Sequence, residues 1–467
     1  MRFFIAALLC NLLWMPAAGL AEAEIVTPKM RQTAEKLAAT ALQDTTAYDL
    51  VESLTTEIGP RLAGTEAEAR ARDWAVKKLK QLGFKNVRIE PFEVPLWQRG
   101  VEKAEITSPF PQPLYITTLG GSVATPPEGV EGDLVSFPSL AALQAVRAGS
   151  LRGKIVFVDQ VMTRTQDGSG YGVAVQKRRE TAFAAHKAGA VGALIRSVGT
   201  SSHRFAHTGQ MKAITDTSVG PSVPSAALSA PDADQLARAL SRDEPLRLRL
   251  TLTPQTQARA PSGNVIAEIP GRERPDEIVL IGAHLDSWDQ GTGAVDDGAG
   301  VGIVTGAAKV IMDNLRRAPK RTIRVVYFGA EEVGLVGAKA YAEAHSRELE
   351  NHIVGTESDF GADKIWRFDT RIAEAKLPVA KAIGDVLLPL GIGPGNNEAS
   401  GGPDMKYVRE AGVPVVTLLQ NGWDYFDLHH TPNDTLDKID PAKLAQNVAA
   451  YAAFVYLVAE MDEDFRE

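Results

Sequence analysis

Two imidazoles and three carboxylates, His284, Asp296, Glu332, Asp359 and His430, follow one another through the second half of the chain. Such a set holds two divalent cations only if one carboxylate bridges them. A bridged pair of cations is what a hydrolase uses to activate water. Two more acids stand beside these positions, Asp286 two residues after His284 and Glu331 next to Glu332.

Each position also has an ordinary explanation. A lone His-x-Asp at 284–286 is a weak signal, satisfied by a strand-end histidine bonded to a nearby carboxylate. Asp296-Asp297-Gly298 opens a helical stretch, where an acid serves as a cap. Glu331-Glu332 fits an acidic first turn favoured by the helix dipole. His429-His430 could be a polar turn with Asp434 as a cap. The joint arrangement is more specific than any member. His284 ends the apolar strand Glu277–Ala283, Glu331 and Glu332 follow the strand Thr322–Phe328, and Asp359 follows Ile353–Thr356. His430 lies beyond Val413–Leu419. Alternation of these strands with helical stretches at Gly298–Met312 and Val333–His345 predicts an α/β fold with a mainly parallel sheet. Such folds place ligands beyond the C-terminal ends of strands, where all of these residues fall. On this reading Asp296 is the bridging ligand, small residues after it let the helix approach closely, and Asp286 orients the His284 imidazole. One of the adjacent pair Glu331 and Glu332 binds metal while the other faces water.

Other stretches frame this core. Residues 28–57 predict polar-faced helix. Thr65 predicts a helix cap with Glu68 as its capping-box partner, and Gly83 the end of that helix. Residues 111–130, rich in Gly, Pro and Thr, mark a boundary. From about 130 to 255 short strands appear at Asp133–Phe137, Lys154–Asp159, Val191–Arg196, Ser225–Leu228 and 246–252, with no catalytic constellation among them. His186 and His345 read as structural, and His203 and His207 as surface residues of that block, with a place leaning over the active site as the alternative. The apolar spacing from Leu444 to Tyr456 predicts a packed C-terminal helix, and the apolar stretch from Val448 to Ala459 is too short to span a bilayer.

With 467 residues the chain exceeds one ordinary domain. Its 44% hydrophobic and 23% charged residues are those of a soluble globular protein. A net charge of −8 disfavours nucleic-acid binding. The N-terminus begins Met1-Arg2, runs apolar from Phe3 to Trp14 and ends in small residues up to Ala21. That pattern predicts a signal peptide over 1–23, and a secreted or periplasmic chain without stable membrane insertion. The sole cysteine, Cys10, lies inside it, so disulfides and thiol chemistry are absent from the mature chain and any metal has nitrogen and oxygen ligands.

At Gly282-Ala283-His284-Leu285-Asp286-Ser287-Trp288-Asp289, Asp296-Asp297-Gly298, Gly329-Ala330-Glu331-Glu332, Glu357-Ser358-Asp359 and His429-His430 with Asp434-Thr435, the chain resembles the M28 co-catalytic zinc metallopeptidases, most closely the carboxypeptidase Q branch. Residues 58–65 are similar to that family's N-terminal segment. The resemblance implies an aminopeptidase-like mixed sheet flanked by helices, interrupted by a β-rich protease-associated domain. The chain then divides into a signal peptide 1–23, a first catalytic segment 24–120, the inserted domain 121–257 and a second catalytic segment 258–467 that carries the metal site. It also implies two zinc ions, one on His284, Asp359 and Asp296, the other on His430, Glu332 and the same Asp296. Glu331 becomes the general base and then acid, and the Asp296–Asp297 peptide cis. The implied substrates are dipeptides or short peptides with a free N-terminus, and the implied assembly a homodimer. Where many aminopeptidases of the family carry Ser-Asp-His, this chain has Ser400-Gly401-Gly402-Pro403-Asp404. The residues that would read substrate stay open, with Tyr425, Trp423 and the 401–404 loop as candidates. An N-acyl amino-acid amidohydrolase or a glutaminyl cyclase on the same scaffold is the alternative, and a non-catalytic binding protein a more distant one. Cobalt or manganese would suit the same donors.

Overall fold

The computed structural model describes residues 24–212, 220–242 and 244–466; the expected signal peptide lies outside them. Two eight-stranded sheets organise the chain. The first runs in the spatial order Lys85–Gln98, Gln255–Ile269, Arg321–Phe328, Arg274–His284, His352–Glu357, Val415–Gln420, Ile365–Arg371 and Gly393–Pro394. Its four central strands are mutually parallel, and antiparallel strands flank them on both sides. The expected mainly parallel mixed sheet is therefore present.

The central strands are apolar on both faces because both faces are covered. On Arg274–His284, Val279 and Ile281 pack beneath the helices Pro28–Ala41, Thr46–Glu57, Ala299–Asn314 and Pro441–Glu460. Ile278 and Leu280 point the other way, into a smaller cluster with Ala338, Tyr341 and Met405. The C-terminal helix is almost wholly buried from Leu444 to Ala459, as its spacing predicts. The helix expected over Val333–His345 is shorter, Val336–Ala344. Glu331 to Leu335 turn first, with the Glu331 carbonyl accepting from the N–H groups of both Gly334 and Leu335. Thr65 caps Glu66–Leu82 as expected, accepting from Glu68 N–H at 3.2 Å. The Glu68 carboxylate instead accepts from Ser262 at 3.1 Å and pairs with Arg72 at 2.8 Å.

The second sheet contains every short strand expected between 130 and 255. It begins earlier than the residue-121 boundary, because Glu102–Ser108 pairs with Arg247–Leu252 and Ile116–Thr118 with Ser225–Leu228. Ladder hydrogen bonds thus join residues 102–118 to the strands between 130 and 252. Arg164 and Thr200 of this domain hold Asp427 of the first, at 2.7 and 2.6 Å, so the two bodies meet beside the His429-His430 loop.

His352, at the head of the central strand leading to Asp359, supplies a stability test. Burial lowers its pKa to about 4; its Nδ1–H donates to the Glu348 carbonyl and its Nε2 meets the Tyr341 hydroxyl. A neutral folded histidine contributes stability that is complete above the unfolded pKa near 6.5. That stability is lost as pH falls towards 4, up to about 3 kcal/mol. Unfolding free energies measured from pH 7 to 4 should fall more steeply for the native protein than for His352→Gln, and equal slopes would refute the assignment.

Candidate metal centre

The strand ends converge as expected. His284 is the last residue of its strand, and its Nδ1–H donates to the Asp286 carbonyl at 2.9 Å. Its Nε2 lies 2.9 Å from Asp296 Oδ1 and 3.5 Å from Asp359 Oδ1. Across the cleft, His430 Nε2 lies 3.3 Å from Asp296 Oδ2 and 2.6 Å from Glu332 Oε2. Its Nδ1–H donates to the Thr208 carbonyl at 3.2 Å. In both imidazoles a backbone carbonyl holds the Nδ1 proton, which leaves Nε2 as the potential donor to a cation.

The Asp296 loop is built by its neighbours. Asp434 accepts from the N–H groups of Val295 at 2.6 Å and Asp296 at 3.2 Å. Arg61, fully buried, donates to the carbonyls of Leu285, Thr292 and Gly293 at 2.6, 2.7 and 2.9 Å, tying the His284 strand end to the loop. The Asp296–Asp297 peptide is cis. Asp297 also brings an oxygen within 4.8 Å of the His284 and Asp359 donors. Both its oxygens already accept backbone N–H groups, from His284 and Gly300 at 3.0 Å each, so its fit is structural. The expected close approach of the following helix is met at Gly300, where a Cβ would lie 2.0 Å from the Ser358 carbonyl oxygen.

The donor set fits cations on three observations. Glu332 Oε1 is buried without a hydrogen-bond partner. The carboxylates hold His284 and His430 well above the ordinary histidine pKa although burial opposes it, Asp359 and Asp296 acting on the first, Glu332 and Asp296 on the second. Burial raises Asp359 to about 6, with Asp296 and Glu332 adding to it. Such a concentration of buried negative charge is relieved by bound cations. Ala330 and His430 adopt left-handed φ of 61° and 55°, a strained backbone that persists where the surroundings over-determine it.

Asp286 behaves differently from the expectation that its side chain holds His284. Its Oδ1 is 3.8 Å from the imidazole nitrogen and accepts instead from Glu331 N–H at 3.1 Å. The residue therefore orients His284 through its main chain and Glu331 through its carboxylate. Glu331, half-buried, lines the cavity and makes no ion pair with either imidazole.

Several residues at the site were not anticipated. His207, expected at the surface, is buried; its Nε2 meets His429 Nδ1, and His429 Nε2 lies 3.1 Å from Asp296 Oδ2. Trp288 stacks on His430 at 5.3 Å and donates its indole N–H to Thr208 Oγ1 at 3.0 Å. The second-sheet block thus braces one potential ligand, His430, and its chain neighbour, His429. Outer-shell partners of metal ligands are typically worth 10- to 100-fold in affinity. His207→Ala should weaken metal retention by about that factor in a chelator competition, and unchanged retention would show that the brace is dispensable.

A cavity of about 410 Å³ opens onto Asp296, Glu331, Glu332, Asp359 and His430. Of the candidate substrate readers Tyr425 lines it, whereas Trp423 is half exposed elsewhere. In the 401–404 loop only Pro403 reaches the cavity; Asp404 is buried behind it, its N–H donating to Glu357 at 2.8 Å.

The profile of Peptidase family M28 matches residues 264–455. Carboxypeptidase Q of Rattus norvegicus is 35% identical over 416 residues, covering 89% of this chain and 86% of that protein. The crystal structure of a peptidase M28 precursor from Shewanella amazonensis superposes with a TM-score of 0.91 at 52% identity, covering 94% of this chain and 98% of that one. A zinc aminopeptidase from Bacillus subtilis shares the fold at 20% identity, with a TM-score of 0.67 over 91% of this chain and 98% of that one.

Proposed function

Because the chain belongs to peptidase family M28 and is a metallopeptidase, we propose that it is an exported di-zinc exopeptidase. Its substrates are dipeptides or short peptides with a free N-terminus. One observation carries this reading: the two oxygens of Asp296 face different imidazoles, Oδ1 towards His284 and Oδ2 towards His430. A carboxylate so flanked suits a bridge. His284 and Asp359 then complete one site, and His430 and Glu332 the other. When bound, the two cations lower the pKa of a shared water and polarise the scissile carbonyl.

The chain's own residues do the remaining work. Glu331, held by Asp286 through its N–H, takes the proton of the attacking water as oxygen bonds to the peptide carbon. As the carbon–nitrogen bond breaks, Glu331 returns that proton to the leaving amine. Asp286 keeps His284 and Glu331 in register. The acidic wall of the cavity suits a substrate ammonium group. The inserted domain, protease-associated in its resemblance, walls the cavity through Tyr171, Arg178 and Met211 and favours short substrates. Export rests on the N-terminal pattern, and pairing into a homodimer on the branch resemblance.

Metal quantification coupled to a panel of free dipeptides, longer peptides and N-acylated amino acids tests the reading. Two zinc ions per chain and preference for free dipeptides support it. Preference for acylated amino acids, or peptide hydrolysis in protein freed of metal, overturns it.

A further inference from the structure

Three consecutive residues that follow His284 grip the second-sheet block and the connector leading into it. Trp288, 3% exposed, donates its indole N–H to Thr208 Oγ1 at 3.0 Å. Asp289 takes the Arg99 guanidinium with both oxygens, at 2.8 and 2.9 Å, and Arg99 also donates to the Thr118 carbonyl at 2.6 Å. Gln290 Oε1 accepts from the Thr208 hydroxyl at 3.4 Å. Thr208, fully buried, is therefore held by two side chains of the segment that leaves His284. The indole also fits a slot. A Cβ on Gly120 would lie 2.3 Å from its Cη2, so only glycine admits it there.

The same indole reaches the other histidine. Trp97, Trp288, His430 and His429 form a row of near-parallel rings, with successive centroids 6.2, 5.3 and 3.8 Å apart and interplanar angles of 15°, 19° and 14°. His284 needs no such help, because it ends a strand and its Nδ1–H finds a carbonyl two residues along its own chain. His430 sits in a turn with a left-handed φ of 55°, and its Nδ1–H goes to the Thr208 carbonyl, 222 residues away. Its acceptor is therefore set from outside its own segment, and so is the ring plane where Trp288 stacks on it. Stacking restrains the plane, while the indole N–H and Gln290 hold the residue that carries the acceptor.

We propose that Trp288 is a positioning residue for His430, so that the segment carrying the histidine of one metal site fixes the histidine of the other. This rests on the assignment of His284 and His430 to separate cations in the reading above. The ordinary alternative is that Trp288 only fills the core, since it also packs with Leu62, Val94 and Val333. The two readings differ in which cation they touch. Loss of a core indole lowers the stability of the whole fold and acts on both ions alike. Loss of a positioning contact weakens the site of His430 and Glu332 and spares that of His284 and Asp359.

The test is the zinc retained per chain by the holoenzyme against a graded series of chelator, for the native protein, Trp288→Leu, Trp288→Phe and Thr208→Val, with Tm measured alongside. Trp288→Leu should release one of its two ions about 10- to 100-fold more readily than the native protein and hold the other unchanged. Trp288→Phe keeps a ring on His430 without the N–H and should fall between. Thr208→Val keeps the carbonyl that His430 uses and removes only the hydroxyl held by Trp288 and Gln290. It should weaken the same ion about tenfold, and it carries the test if Trp288→Leu does not fold. Combination with His430→Gln identifies the ion, because in that background Trp288→Leu should leave the remaining zinc unaffected. Equal weakening of both ions, a fall in Tm with neither ion affected, or a Trp288→Leu effect that persists in the His430→Gln background would overturn the proposal. A native protein that binds no zinc would overturn both this and the reading it rests on. Because the readout is metal retention, a native protein that holds two zinc ions and cleaves no peptide would reject the peptidase reading alone.

Discussion

Glu331→Gln will lower kcat about 10³-fold or more while the protein keeps its full complement of metal. The magnitude is that of losing a positioned acid–base group. Retention of metal follows from geometry, since Glu331 makes no ion pair with either imidazole and its backbone N–H, bonded to Asp286, is untouched by the substitution. The amide is nearly isosteric but cannot accept the proton of water or return one to the leaving amine. A second signature is the pH profile. Burial raises the Glu331 pKa well above 4.5, and the neighbouring Asp359, Glu332 and Asp296 carboxylates add to it. Bound cations offset the carboxylate contribution and leave that of burial. A base with a raised pKa works above that pKa, so the native rate should fall as pH drops while still above the ordinary carboxylate range. The residual rate of Glu331→Gln should lack that limb. Turnover by a metal-replete Glu331→Gln within tenfold of native would remove Glu331 from the chemistry. Loss of metal in the variant would make it a ligand.

The convergence of these side chains was legible in the sequence because strand periodicity locates strand ends, and strand ends in a parallel sheet share one edge. His284, Glu331, Glu332 and Asp359 needed only that rule. His430 lies ten residues beyond its strand, so the same rule placed it past the strand end without fixing its loop. His207, Thr208 and Arg178 were illegible for a different reason. They come from the second-sheet block, and their place beside His430 depends on how that block meets Asp427 through Arg164 and Thr200. No local period encodes that docking, and a histidine in a polar stretch looks the same whether it faces water or a buried imidazole. Asp286 shows a third limit. Its proximity to His284 was foreseen, yet whether carbonyl or carboxylate makes the contact depends on the turn after the strand. That turn directs the side chain to Glu331 instead. The Gly- and Pro-rich texture of 111–130 marks turns within the second sheet, whose edge strands are Gln112–Leu114 and Ile116–Thr118 and to which Glu102–Ser108 already belongs.

Asp296→Asn will cost the protein both metal ions, not one. Each oxygen of Asp296 faces a separate imidazole, at 2.9 and 3.3 Å, and an amide offers a cation one oxygen and one NH₂ group. Whichever way the amide turns, one side gains an N–H dipole pointed at the cation and both lose the shared negative charge. The remaining donors are then two per side, His284 with Asp359 and His430 with Glu332, too few to hold zinc against water. Removing metal from the native protein by chelation should abolish peptide hydrolysis, and returning zinc should restore it. Because a ligand of the folded state stabilises it, zinc at about 1,000 times its Kd adds about 4 kcal/mol to the native protein. Asp296→Asn should show neither the restored activity nor that gain. The shared carboxylate is what separates this outcome from the alternatives. If Asp296→Asn retained one ion with His430 and Glu332, or one with His284 and Asp359, Asp296 would serve a single site and the bridge would be wrong. If it retained both, Asp296 Oδ2 would owe its burial to His429 alone, and the cations would have to sit elsewhere in the cavity.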